Sequence, residues 1–127
     1  MNRFIYLQET DMPGPHTILV VEDNSDAQYL VCEMLRAMGH TACGANDAEQ
    51  ALGMLAGQHF AILFTDISLP GMSGIELAKK ATADDPDLKI IFASGFGSNV
   101  SDYVDFPAVS LPKPYDMLQL QAILDGL

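Results

Sequence analysis

The chain alternates between short apolar runs and stretches in which apolar residues recur every three or four positions. Short apolar runs bounded by turn formers suit buried strands, and they predict strands over residues 17–21, 41–44, 60–65, 88–93 and 108–111. The helical periods predict helices over 25–38, 47–56, 73–83 and 115–125. The first carries Ala27, Leu30, Val31, Met34, Leu35 and Met38 on one face, the second Ala48, Ala51, Leu52 and Leu55, and the last Leu120, Ile123 and Leu124. Gly39 supplies a stop for the first helix, because glycine accepts the left-handed conformation a helix end needs. Ser25 with Gln28, Asp47 with Gln50 and Ser73 with Glu76 have the spacing of reciprocal N-terminal caps. Residues 98–105 are poor in helix formers and are followed by Pro107, which predicts an abbreviated or mobile helix at most.

Near-continuously apolar strands alternating with helices predict an α/β fold: a single-domain (βα)5, doubly wound parallel sheet covered on both faces. Right-handed crossovers then bring every strand's C-terminal end to one edge of the sheet. The domain is expected over 17–127, with residues 1–16, which include Pro13-Gly14-Pro15, as an arm before it. A chain of 127 residues is long enough for one core.

Charge and cysteine usage narrow the function classes. The formal net charge is −11 and the six basic residues form no run, which argues against nucleic-acid binding. No apolar run approaches the roughly 18 residues of a membrane span, and residues 1–7 are too short an apolar stretch for a signal peptide. A cytoplasmic location is expected. Cys32 and Cys43 lack metal or redox spacing and read as buried free thiols. His16, His40 and His59 show no partner pattern and read as surface or boundary residues.

Three of the strands end in charge. Ile18-Leu19-Val20-Val21 runs into Glu22-Asp23. Ala61-Ile62-Leu63-Phe64-Thr65 runs into Asp66, followed by the loop Ile67-Ser68-Leu69-Pro70-Gly71-Met72-Ser73-Gly74. Val109-Ser110-Leu111 runs into Pro112-Lys113-Pro114, and the fourth strand ends at Ser94-Gly95. Two carboxylates ~4 Å apart repel by about 4 kcal/mol at an effective dielectric of 20. A hard cation among them relieves this, and Mg2+ favours one or two carboxylates, waters and phosphate oxygens. Lys113 offers a compact ammonium for a phosphoryl oxygen, Ser94 a hydroxyl, and Ile67 and Gly95 backbone N–H groups. Asp66 is then placed as a nucleophile toward an activated phosphate, giving an acyl phosphate. Each residue alone has a blander use: Asp66 as a turn cap, Glu22-Asp23 as a helix cap, Lys113 as a solvated loop lysine, Ser94-Gly95 as a turn. Their arrival together at strand ends favours the site.

These motifs, in this order and on alternate βα units, resemble a response-regulator receiver domain of two-component signalling, a flavodoxin-like fold. The resemblance implies that Asp66 accepts a phosphoryl group from a histidine kinase or phosphotransfer protein, with Lys113 and Ser94 assisting. It implies Mg2+ held by Asp23, Asp66 and the Ser68 carbonyl, with Glu22 acting mostly through water. It further implies a signalling relay through protein–protein contacts, with no enzymatic activity beyond its own phosphorylation and dephosphorylation. Phe92-Ala93-Ser94-Gly95-Phe96 is similar to the Phe-Ala-Thr-Gly-aromatic signature of a subgroup common among single-domain receivers, although Lys89-Ile90 stands where that subgroup has Pro-Phe. Many receivers place an aromatic three positions before the lysine; here that position is Ser110, so the route to a partner is expected to run through residues 98–105. No output domain is expected after Leu127, which leaves a stand-alone regulator and a receiver piece of a hybrid histidine kinase both open. A phosphatase with an aspartate nucleophile would need a second acid where Ser68 stands. A degenerate receiver used only for contacts is disfavoured by the acids and Lys113.

Overall fold

A computed structural model describes residues 15–95, 100 and 104–127. Five strands and four helices are present among them: β1 (Thr17–Val21), α1 (Ser25–Ala37), β2 (Thr41–Ala45), α2 (Ala48–Gly57), β3 (Ile62–Asp66), α3 (Gly74–Asp84), β4 (Lys89–Ser94), β5 (Val109–Pro112) and α4 (Met117–Asp125). The strands form one parallel sheet in the order β2-β1-β3-β4-β5. Chain order runs outward to one side from β1 and to the other from β3. The crevice where α/β sheets bind their ligands therefore lies between the C-terminal ends of these two strands.

Period-two alternation divides the strand side chains between two cores. Leu19, Val21, Leu63, Ile90 and Phe92 pack with Ala48, Ala51, Leu77, Ala78 and Ala81 of α2 and α3. Ile18, Val20, Ile62, Phe64, Ile91, Ala93 and Leu111 pack with Val31, Cys32, Leu35, Leu120 and Leu124 of α1 and α4. Helices thus cover both faces, as a doubly wound sheet requires. Burying each large aliphatic or aromatic side chain contributes about 1.5–3 kcal/mol, so these two layers hold the strand ends rigidly in place.

Two local readings change. Asn24, not Ser25, caps α1, its side chain accepting the Ala27 N–H at 2.9 Å. The apolar face of α1 is also turned from the predicted one: Val31, Cys32 and Leu35 are buried, whereas Leu30 is 59% exposed. The other caps hold better. Asp47 and Ser73 accept the N–H groups of Gln50 and Glu76, and α4 opens with a full capping box between Asp116 and Gln119. Residues 98, 99 and 101–103 of the predicted fourth-helix segment lie outside the described residues.

The histidines have a partnership that their spacing does not reveal. His16 and His40 immediately precede the paired residues Thr17 and Thr41 of β1 and β2. Their rings stack with centroids 5.5 Å apart, and the His16 backbone N–H donates to His40 Nδ1 at 3.0 Å. Burial, and then the neighbouring His16, push the His40 imidazole below its ordinary 6.5, with Asp125 opposing. A protonated Nδ1 cannot accept that N–H. The contribution of His40 to stability is therefore complete above pH 6.5 and is lost as the pH falls through the lowered folded-state value. The urea midpoint of the wild type should drop between pH 7.5 and 5, and His40→Gln should flatten that part of the profile. Parallel profiles for the two proteins would contradict the assignment.

Candidate functional site

The acids named from the sequence meet at the crevice between β1 and β3. Glu22 and Asp23 follow β1 directly, and Asp66 is the last residue of β3. Each offers an oxygen, and the three oxygens lie within 4.8 Å of one another. Lys113, just beyond β5, reaches across the edge with its Nζ 3.0 Å from Asp66 Oδ2 and 3.3 Å from Glu22 Oε1. The Asp66 and Glu22 side chains are mostly buried and Asp23 is exposed, so the cluster opens to solvent on the Asp23 side. The peptide between Lys113 and Pro114 is cis.

Neighbouring strands fix these side chains through the backbone. The Ser94 carbonyl accepts the Lys113 N–H at 2.7 Å, tying the ends of β4 and β5 together. Ser94 is buried and stands opposite Pro112 in the parallel register, with exposed Gly95 next in the chain. Ile67 N–H donates to the Ala93 carbonyl at 3.3 Å, a long bond at the upper end for an amide. Fully buried Thr65 donates its hydroxyl to the Asp66 carbonyl at 2.9 Å. Ser68 is exposed in the loop after β3.

Three negative charges and one positive charge in this space leave a net deficit of cation. Burial lowers the Lys113 ammonium, but the hydrogen bond and charge of Asp66, then Glu22, outweigh it and leave the group above its ordinary 10.5. Lys113 therefore stays charged at any physiological pH. The donor set of carboxylate oxygens suits a hard divalent cation such as Mg2+ and would not attract a soft one.

Two neighbours escaped the sequence reading. Tyr115 packs edge-on against Phe64 with ring centroids 6.0 Å apart. Burial first, then the charges of Glu22 and Asp66, push its phenol well above the usual range. Its position two residues after Lys113 was the available signal. The spacing of Gln28 after Ser25 predicts a capping partner, yet its amide turns inward toward the end of β1. The clue was its place three, four and seven residues before Val31, Cys32 and Leu35, on the buried stripe of α1.

Ser110 stands opposite Phe92 in the register of β4 and β5, and its hydroxyl accepts the N–H of buried Val100 at 3.2 Å. A small polar residue here holds the β4–β5 crossover by a hydrogen bond where an aromatic ring would fill space. Cys32 and Cys43 are both free, Cys32 buried and Cys43 partly so, and burial raises the Cys32 thiol. Among the described residues no helix is long and apolar enough to cross a membrane.

Comparison with known proteins agrees with this geometry. CpdR, a response regulator receiver protein of Brucella abortus (strain 2308), is 36% identical over 106 residues, which cover 81% of this chain and 88% of CpdR. The sensor kinase CckA of the same organism is 31% identical over 117 residues, 87% of this chain but only 12% of CckA. Among solved structures, a CheY-like response regulator receiver domain from Methylobacillus flagellatus superposes with a TM-score of 0.79 at 27% identity, covering 89% of this chain and 98% of that one. Residues 18–125 match the family model of the response regulator receiver domain. The chain therefore belongs to the receiver domains of two-component signal transduction.

Proposed function

We propose that this receiver takes a phosphoryl group from a phosphohistidine onto Asp66, with Mg2+, and passes the signal on through protein contacts. The observation that carries the reading is the placement of Asp66: a mostly buried carboxylate within 3.0 Å of Lys113 and among the oxygens of Glu22 and Asp23. In the transfer one Asp66 oxygen attacks phosphorus while the P–N bond to the donor imidazole breaks. The nitrogen leaves with the bonding pair, and a carboxylate nucleophile needs no general base. Lys113 would hold a phosphoryl oxygen by charge, and Ser94, at the end of β4, would donate its hydroxyl to another. The N–H of Gly95 lies at the same edge and would serve as a further donor, whereas the Ile67 N–H named from the sequence is given to the Ala93 carbonyl and would have to leave it to reach a phosphoryl oxygen.

Asp23, Asp66 and the Ser68 carbonyl would hold the Mg2+, with Glu22 acting through a water. When bound, it neutralises charge that builds on the phosphoryl oxygens. Lys113 meanwhile offsets part of the repulsion between Glu22 and Asp66 in the metal-free protein.

A phosphohistidine must be presented to Asp66 by a protein, and a groove suited to this lies beside the site. It has a volume of about 500 Å3 and is walled by Leu30 and Met34 of α1, Glu22, Lys113 and Tyr115. Its walls include two site residues, so a helix of the phosphodonor lying there brings its imidazole directly to Asp66. Leu30→Asp should slow transfer from a phosphorylated histidine phosphotransfer protein by about tenfold or more. The same variant should accept phosphate from acetyl phosphate at the wild-type rate, because a small donor needs no groove. Equal losses with both donors would place Leu30 in the chemistry or the fold. No labelling of the wild type by either donor would leave only the contact module.

A further inference from the structure

We propose that Gln28 is a positioning residue for the Glu22-Asp23 acid pair, and that Gly44 exists as the space its amide occupies. The proposal rests on the reading of this pair as the metal-binding acids. Gln28 Nε2 lies 2.9 Å from each of three acceptors: the Glu22 carbonyl, the Ala45 carbonyl and Asn46 Oδ1. Two of these are backbone carbonyls, which only accept, so the side-chain NH2 and not its oxygen must face them. Two hydrogens serve three acceptors, and one is shared.

These contacts act on the point where β1 gives way to the acids. The Ala45 carbonyl also accepts the Glu22 N–H at 3.1 Å, so the Glu22 peptide is held on both of its sides: N–H to Ala45, C=O to Gln28. Glu22 Oε2 in turn accepts the Asn24 N–H at 3.0 Å, which orients the carboxylate that Lys113 touches through its other oxygen. Asp23 lies between the two fixed residues. Gln28 thus links α1, the end of β1 and the end of β2, and no other described side chain bonds to the Glu22 carbonyl.

Gly44 completes the argument. It pairs with Val20 in the register, one residue before Ala45. A Cβ at Gly44 would overlap the Gln28 side-chain oxygen and come within 2.7 Å of its amide carbon, while its backbone has no positive φ that would itself demand glycine. The Gln28 amide is the far end of a flexible side chain. An alanine at position 44 therefore expels the amide and leaves the strand in place.

The test uses the full chain and Mg2+ alone as the probe. Binding is followed by amide shifts in heteronuclear NMR, with the shifts of Glu22, Asp23 and Asn46 also compared in metal-free protein. Gln28→Ala should weaken Mg2+ binding by about tenfold, the scale of losing an outer partner of a metal ligand. Gly44→Ala should do the same, and the double variant should be no worse than Gln28→Ala, since both remove one seat. Gln28→Met keeps the volume and the helix propensity but lacks donors, so it should match Gln28→Ala in metal binding while retaining the wild-type urea midpoint more closely. Wild-type affinity in Gln28→Met overturns the proposal. So do additive losses in the double variant, which would give Gly44 a separate role. A wild type that binds no Mg2+ removes the metal reading instead, and the metal-free shifts of Glu22 and Asp23 then decide the positioning claim: unmoved shifts in Gln28→Met overturn it.

Discussion

Incubated with acetyl phosphate and Mg2+, the wild-type chain should gain about 80 Da on intact-mass measurement, and Asp66→Asn should gain nothing. Asparagine fills the same volume but offers a neutral amide oxygen, too weak a nucleophile to displace the donor. The control matters because the substitution also disturbs the charge balance, but the opposing terms are of similar size and the variant is expected to fold. Asp66 faces two like charges within 4.8 Å, each repelling it by about 3.5 kcal/mol or somewhat more at an effective dielectric of 20. It faces Lys113 at 3.0 Å, an attraction of about 5.5 kcal/mol on the same scale. The terms nearly cancel, so stability should change by no more than about 1–2 kcal/mol. Asp23→Asn separates the metal from the nucleophile: it should need more Mg2+ for the same labelling but still be labelled. A labelled Asp66→Asn protein would move the acceptor elsewhere. An unlabelled wild type, with beryllofluoride also failing to shift the amides around Asp66, would end the phosphoacceptor reading.

The meeting of Glu22, Asp23, Asp66 and Lys113 was legible in the sequence because each stands at the end of an apolar strand, and parallel strands covered on both faces put such ends on one edge. That inference needs only strand polarity and survives errors of a residue or two. What failed to show depended on finer phase. The run Tyr29-Leu30-Val31-Cys32 is apolar throughout, and turning the helix by one residue, about 100°, exchanges Leu30 for Cys32 on the buried face. Ser25 and Asn24 are both good caps, and Gln28 three residues after Ser25 makes Ser25 the better match to the capping pattern. The Gln28 side chain instead satisfies backbone carbonyls at the ends of two strands. The His16–His40 pair depends on the register of β1 with β2, since the two residues lie 24 apart in the chain and meet only through the neighbouring Thr17–Thr41 pairing. Ser110 stands out in the sequence as unusual for its position, but its bond to Val100 joins residues whose relation no local pattern encodes.

Gly74→Ala and Gly53→Ala should change stability in opposite directions, although each adds one methyl to a helix. Gly53 lies exposed within α2, and a Cβ there meets nothing within 4 Å. Alanine at that position removes the entropic cost of a helical glycine and should stabilise by about 0.5–1 kcal/mol. Gly74 is the buried first residue of α3, and its N–H donates to the Ile67 carbonyl at 2.9 Å. A Cβ at Gly74 would overlap the Asp66 carbonyl oxygen and stand 3.0 Å from Thr65 Oγ1. Those atoms belong to the hydrogen bond that steadies the end of β3, and backbone cannot swing aside as a flexible side chain can. Overpacking of this kind costs about 1–3 kcal/mol, and the strain falls on the residue that carries the nucleophile. Gly74→Ala should therefore lower the urea midpoint and slow labelling by acetyl phosphate together, whereas Gly53→Ala should raise the midpoint and leave labelling unchanged. A Gly74→Ala protein as stable and as readily labelled as the wild type would mean that α3 slides away from β3 at little cost, and that the close approach of helix to strand does not hold Asp66.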